Sequence, residues 1–447
     1  MITRRHFFGA AGSLSATALL GGASVPGLAA GEEYKALVVV YLNGGNDGNN
    51  VIVPTDGAYR DYQTSRANLA LPRNSLASLS GTAAGHTFGL HASLTPLAPL
   101  YNAGRLAFIS NVGPLIEPAT GRQVLDNAVR LPPFLMSHND QTAMVQGWNV
   151  TEDGSGWAGR GLETLPSSLR HPLAAVTMDT NRTLVLGRQT PVTFMPPGGT
   201  RWWGTADLAY PETPSAQSLN RMARWQSANA YEGEYARTLG TALFDSTQLT
   251  QAFMAAKAPA ADFGNEWLGN NMRELASVLP VFKSTGLKRQ VFLTHWGGFD
   301  THANQRGGDM NSQDSQLVTL ARVLDAFDAS NRANGLDMNV TTLVMTEFGR
   351  TLRPGSGGGS EHAWGNHWWL MGGPVAGGTV HGTFPNLVLG GPDDGDPGQN
   401  GRHVPSTSSD QVGASLMQWL GMDPLHLLDV FPNLANFKQK TLPLIRV

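Results

Sequence analysis

Five short stretches of the 447-residue chain bring carboxylates and imidazoles close together. GGFDTHANQ (297–305) sets Asp300 two positions before His302, directly after an apolar run. MTEFGRT (345–351) ends another apolar run on Glu347, with Arg350 three positions further on. LNGGNDGNN (42–50) carries Asp47, SEHAWGNHWW (360–369) carries Glu361, His362 and His367, and MSHNDQ (136–141) carries Ser137 beside His138. Carboxylate oxygens and imidazole nitrogens make a hard-to-borderline donor set. That set suits one or two divalent ions, zinc or manganese first and iron or magnesium after them. It suits copper less, and calcium less once imidazoles take part. Each stretch also has a plainer reading. Asp47 fits a turn cap, Asp300 and His302 fit a polar turn, and Ser137 fits an ordinary loop serine. Glu347 needs a partner because a bare carboxylate at the end of a buried run is costly, and Arg350 could supply it in a structural ion pair. Of His362 and His367, set among Trp364, Trp368 and Trp369, one is expected to pack or to support rather than to ligate.

What must position these residues is a set of strands and helices in alternation. Residues 36–42, 106–113, 289–296 and 338–350 read as strands, the first of them a continuous apolar and β-branched run typical of burial on both faces. Helical spacing covers 91–106 with Ser93 as cap, a segment around 215–240, 264–279, 311–330 and 408–422. The last of these has Ser408 or Ser409 at its start and Gly421 near its end. Residues 367–380 read as a strand and turn. Strand and helix in this order predict a doubly wound, mostly parallel α/β sheet with helices on both faces. In such sheets ligands bind beyond the carboxyl ends of the strands, where Asp47, Asp300, His302 and Glu347 are expected to converge. Residues 31–447 are expected to form one domain with an insertion around 114–290.

Composition narrows the classes. The formal net charge of −3 gives no electrostatic case for nucleic acid or an anionic membrane surface. The chain has no cysteine, which excludes disulfides, thiolate metal sites and a thiol nucleophile. Residues 1–30 combine Arg4 and Arg5 with a weakly apolar run and small residues at Ala29 and Ala30. This layout predicts a twin-arginine signal peptide, passage through the twin-arginine translocase and a periplasmic or secreted mature protein. No later stretch reaches ~18 uninterrupted apolar residues, so no membrane span is expected in the mature chain.

The motifs LNGGNDGNN, GGFDTHANQ, TEFGRT and SEHAWGNHWWLMGGPVAGGTVHGTFPNL resemble the exported family termed domain of unknown function 1501, over roughly residues 35–445. The spacing also resembles the alkaline phosphatase and sulfatase superfamily. The resemblance implies an alkaline-phosphatase-like fold with Asp47, Asp300, His302, Glu347 and His362 in the metal-ligand positions. It implies a metal-dependent hydrolase acting on a small phosphate or sulfate ester. Two departures stand out. The sulfatase pattern of Cys or Ser followed by x-Pro-x-Arg is absent, and Phe348 stands where a second-metal His often follows the acidic residue. Ser137 is then the candidate nucleophile, with His138 as ligand or proton carrier. The other route is water, whose pKa a bound divalent ion lowers from ~15.7 toward ~7. Arg350 would stabilise an anionic transition state or brace Glu347. A second reading is a non-catalytic exported binding or assembly protein on the same fold.

Overall fold

The computed structural model describes residues 33–147, 153–195 and 213–446. The leader expected over residues 1–30 lies outside the described residues. A nine-stranded sheet forms the centre. Its strands in chain order are β1 (Lys35–Leu42), β2 (Leu106–Gly113), β3 (Ala175–Thr177), β4 (Thr193–Phe194) and β5 (Arg289–Trp296). They continue with β6 (Val340–Thr346), β7 (Asn366–Met371), β8 (Val380–His381) and β9 (Thr407–Ser408). In space the order is β8-β2-β7-β6-β1-β5-β3-β4, with β9 also paired to β2. Only β7 runs antiparallel to its neighbours. β1 lies between β5 and β6, parallel to both.

The alternation along β1 divides the core in two. Val38, Val40 and Leu42 join one apolar cluster, and Leu37, Val39 and Tyr41 join the other. This is the two-faced burial that its unbroken apolar run demands. Among the described residues the helices of seven residues or more are α1 (Tyr59–Arg66), α2 (His138–Val145), α3 (Trp157–Glu163), α4 (Pro214–Ala223), α5 (Ala230–Ala255), α6 (Trp267–Ser284), α7 (Gln313–Ala333) and α8 (Ser409–Leu420). α6 and α7 pack into the first cluster through Leu275, Leu279, Leu320 and Leu324. α3 and α8 pack into the second through Trp157, Leu162, Leu416 and Leu420. The sheet is thus mostly parallel with helices on both faces, as the order of elements predicts. Among the described residues no helix is long and apolar enough to cross a membrane.

Two helix expectations need correction. The stretch 91–106 is not one helix capped by Ser93. It is a 3-10 segment, Ala92–Leu97, followed by the short helix Ala98–Asn102. Pro96 and Pro99 remove backbone donors there. The cap is His91, whose Nδ1 accepts the Ser93 N–H at 3.0 Å. The segment around 215–240 is two helices, α4 and α5, rather than one. At α8, Ser408 is the cap and forms a capping box with Gln411, while Gly421 closes the helix at φ +108°.

The loop after β1 turns through Gly44 and Gly45, at φ +113° and +73°. A β-carbon on Gly44 would stand 2.4 Å from the Asp300 nitrogen. Only glycine lets the β1 and β5 loops approach this closely. Gly44→Ala is therefore expected to lower unfolding free energy by about 1–3 kcal/mol in urea titration.

Candidate metal centre

Asp300 sits at the end of the loop that leaves β5, held by Arg350 from a neighbouring element. Arg350 opens a two-stranded hairpin, Arg350–Pro354 with Ser360–His362, and stands directly opposite His362 in its register. Its side chain is fully buried. Nε donates to the Gly45 carbonyl at 2.8 Å, Nη1 to the Ser360 carbonyl at 2.8 Å, and Nη2 to the Gly44 and Phe299 carbonyls. Nη2 also pairs with Asp300 Oδ1. The guanidinium fork thus joins three loops and fixes one carboxylate oxygen.

Around that carboxylate three imidazoles close in. His302 Nε2 lies 3.0 Å from Asp300 Oδ1, and His362 Nε2 lies 3.1 Å from it. The two Nε2 atoms are 3.0 Å apart. His138 Nε2 approaches the other carboxylate oxygen, at 3.5 Å. His138, Asp300 and His362 each offer one ligand atom within 4.8 Å of the other two. The far side of every ring is engaged by an oxygen. His138 Nδ1 is 2.9 Å from Glu347 Oε1, His302 Nδ1 is 2.7 Å from Glu361 Oε2, and His362 Nδ1 is 2.9 Å from the Met136 carbonyl. These oxygens are acceptors, so each Nδ1 carries a proton and Nε2 is the ring nitrogen that faces the carboxylate, with a lone pair there in the uncharged ring. Three lone pairs and a carboxylate facing one another repel unless a cation or a proton stands among them. A proton joins two such atoms; a divalent ion satisfies the whole set. Nitrogen-rich donors with one carboxylate fit zinc, manganese or iron better than calcium. Asp300 is 45% exposed, which leaves the group open on the solvent side.

The electrostatics follow from these partners. Burial raises the Asp300 carboxyl, but the Arg350 hydrogen bond and charge, aided by His362 and His302, outweigh it and hold it at about 2. Asp300 is therefore an anion across the whole neutral range. The hydrogen bond to Glu347 raises His138, against partial burial. Burial lowers His362. The Glu347 carboxylate is itself fixed by the Gly44 N–H at 2.7 Å and lies 3.0 Å from the Thr346 hydroxyl. α2 is docked on β1 through the Tyr41 hydroxyl, which donates to Thr142 at 2.9 Å.

The sequence candidates thus separate. Asp300, His302, His362 and His138 come together with Glu347 and Glu361 behind the rings. Arg350 braces Asp300, not Glu347. Asp47 is turned away from the imidazoles and fully buried: it pairs with Arg66, accepts Gln305 Nε2 at 2.6 Å and caps the turn Gly48–Asn50. Ser137 caps α2 and donates to Asp140 at 2.5 Å. His367 is a buried packing residue stacked on Phe384, its Nδ1 accepting the Asn111 N–H, and burial lowers it to about 3. Phe348 lies against His138 and His362, with ring centroids 4.8 and 4.5 Å away. Arg66, in the amphipathic stretch of α1, escaped sequence reasoning because nothing in its local pattern marks a partner 19 residues back. Glu361 was visible as a carboxylate beside His362, but its role behind His302 depends on the hairpin.

A sequence profile of the family described as "Protein of unknown function (DUF1501)" matches residues 34–395. No curated protein matches the sequence. Among solved structures, the C-terminal periplasmic domain of EcEptC from Escherichia coli in complex with Zn shares 10% identity at a TM-score of 0.29. The match covers 76% of this chain and 74% of that one. The lipoteichoic acid synthase LtaP from Listeria monocytogenes shares 7% identity at 0.33, covering 88% and 73%. The phosphonate monoester hydrolase SpPMH from Silicibacter pomeroyi shares 9% at 0.32, covering 88% and 74%. Likenesses at this level carry no argument about the chemistry of this chain.

Two outcomes are expected from the geometry. Asp47→Asn is expected to take up as much zinc per chain as the wild type, whereas Arg66→Met strands a buried carboxylate and lowers unfolding free energy by about 3–5 kcal/mol in urea. Glu347→Gln loosens the orientation of His138 and weakens metal affinity about 10–100-fold in competition with a chromophoric chelator.

Proposed function

The chain belongs to the DUF1501 family, and on that premise we propose that it is an exported metal-dependent hydrolase of phosphate or sulfate esters. The observation that carries the metal reading is the convergence of three imidazole Nε2 atoms on Asp300, each ring held from behind by an oxygen. The ester class rests on the motif resemblance to the alkaline phosphatase and sulfatase superfamily, and export rests on the leader of residues 1–30. In this reading His138, His302, His362 and Asp300 hold one divalent ion, zinc or manganese first. When bound, such an ion supplies Lewis acidity and lowers the pKa of water from 15.7 to about 7.

The residues of the chain do the rest. Arg350 keeps Asp300 ionised and fixed, so the carboxylate does not swing to meet a substrate. Glu347 and Glu361 orient His138 and His302 from behind, and the Glu347 hydrogen bond makes His138 more basic. The exposed side of Asp300 and His302 is where an ester oxygen reaches the group. Phe348 packs an apolar ring against both His138 and His362. A second reading, a non-catalytic binding or assembly protein, draws on one observation. The Ser137 hydroxyl, the nearest side-chain nucleophile to His138 in sequence, is engaged with Asp140 as a helix cap.

Plasma mass spectrometry on the folded protein and on Asp300→Ala tests the proposal. The expected result is about one equivalent of a transition metal, lost in the variant. Hydrolysis of p-nitrophenyl phosphate or sulfate should fall at least about 100-fold with it, the scale at which losing a transition-state contact is felt. No metal in either protein after incubation with zinc, manganese, iron, magnesium and calcium removes the hydrolase reading. Bound metal without turnover of any ester selects the non-catalytic one.

A further inference from the structure

The loop after β2, helix α2, the start of α8 and the turn at Asn433 surround a cavity of about 300 Å³. None of its lining residues belongs to the metal centre. Pro114, Leu115, Ile116, Pro132 and Met144 give it apolar walls. Among the described residues that line it there is no aromatic ring and no cationic side chain. Its polar side chains are Ser409 and Asp410, in the first turn of α8, and Asn433.

Asp410 is 5% exposed, yet little in the chain meets its charge. Its Oδ2 accepts one long hydrogen bond, from Asn433 Nδ2 at 3.4 Å, and its Oδ1 has no partner among the described residues. The guanidinium of Arg160 is turned elsewhere and donates to the carbonyls of Gly147, Ser155 and Val430. Burial pushes the Asp410 carboxyl up to about 6, against the Asn433 bond and the Arg160 charge. At neutral pH the group is therefore an anion short of positive partners. An acid in the first turn of a helix gains from the helix dipole. That gain needs no enclosure, and an enclosed charge calls for a paired and hydrogen-bonded counter-charge.

We infer that this cavity binds a primary ammonium group on an unbranched alkyl stem, with the nitrogen at Asp410 and the stem between Leu115, Pro132 and Met144. The polar groups select the ammonium. Its three N–H donors match three acceptors, the side-chain oxygens of Asp410 and Asn433 and the Ser409 hydroxyl. A quaternary ammonium has no N–H to give and is held by aromatic faces, which the lining lacks. Size sets the stem: an apolar cavity of about 150 Å³ holds benzene, so this one takes about four to six carbons with their nitrogen. A free alkylamine and a lysine side chain of another polypeptide share this chemistry.

Calorimetric titration of the full-length protein near neutral pH with n-butylammonium chloride tests the site, against 1-butanol and tetramethylammonium chloride at matched ionic strength. Butylammonium should bind at least about 10-fold tighter than either, the lower end of what a hydrogen bond to a charged group contributes. Asp410→Asn should remove that preference. Ile116→Phe, which fills the cavity and leaves the carboxylate in place, should weaken butylammonium at least about 10-fold. Nα-acetyl-lysine amide separates the two sources. Binding as tight as that of butylammonium points to a lysine side chain, and binding of butylammonium alone points to a free amine. Equal affinity of the wild type for butylammonium and 1-butanol overturns the inference. So does a butylammonium affinity unchanged in either variant once thermal unfolding shows that it folds.

Discussion

One guanidinium sets the geometry of the whole carboxyl edge of the sheet. Arg350 reaches the carbonyls of Gly44, Gly45, Phe299 and Ser360 and one oxygen of Asp300 from a fully buried position. Its planar fork allows few arrangements of the groups it joins, so the loops after β1 and β5 and the hairpin strand Ser360–His362 take up one mutual position. Lysine has neither the number of donors nor the fixed fork to replace it. Asp300 gains from this a permanent negative charge in a place that would otherwise favour its neutral form. The imidazoles then arrange themselves around an anion whose location is already decided.

A second arginine–aspartate pair, this one fully buried, does different work. Arg66 and Asp47 are wholly enclosed, with Gln305 bridging Asp47 to the Ser360 hydroxyl beside the hairpin. Charges so enclosed are tolerated because most of their remaining lone pairs and N–H groups find partners, including the Thr351 and Leu352 carbonyls for both bonds of Arg66 Nη1, while Arg66 Nε is left without one. Asp47 is saturated by these contacts, while Asp300 is held by one edge and open on the other. Two carboxylates that follow neighbouring parallel strands thus receive opposite assignments from their arginines. One supports, and one stays available.

The central strands were legible because burial on both faces leaves a continuous apolar run, and their ends marked the edge where the chemistry gathers. Asp300, His302 and His362 were legible as types at strand ends. The partition between ligand-like and supporting groups was not, because it depends on contacts across long stretches of chain. Asp47 and Asp300 look alike in the sequence, each an acid after glycines. Only Arg66 and Arg350, brought in from a helix and a hairpin, distinguish them. His362 and His367 are likewise equivalent in composition, and the two differ because β7 buries His367 while the hairpin carries His362 to the edge. The failed helix at 91–106 has a local cause: its apolar spacing is helical, but Pro96 and Pro99 break the donor ladder.

The position of β1 has a consequence for how the chain comes into being. Its two sheet partners, β5 and β6, lie more than 250 residues downstream. At about 5–20 residues per second a ribosome needs roughly 15–50 s to supply the first of them. Throughout that interval the apolar run Ala36–Leu42, buried along its whole length in the finished molecule, has no sheet to join. A nascent chain of this design carries that run unpaired during synthesis, and the edge that holds the histidines cannot exist until His362, just past four-fifths of the chain, has been made. Assembly of the centre therefore cannot begin before the strand Ser360–His362 has been made.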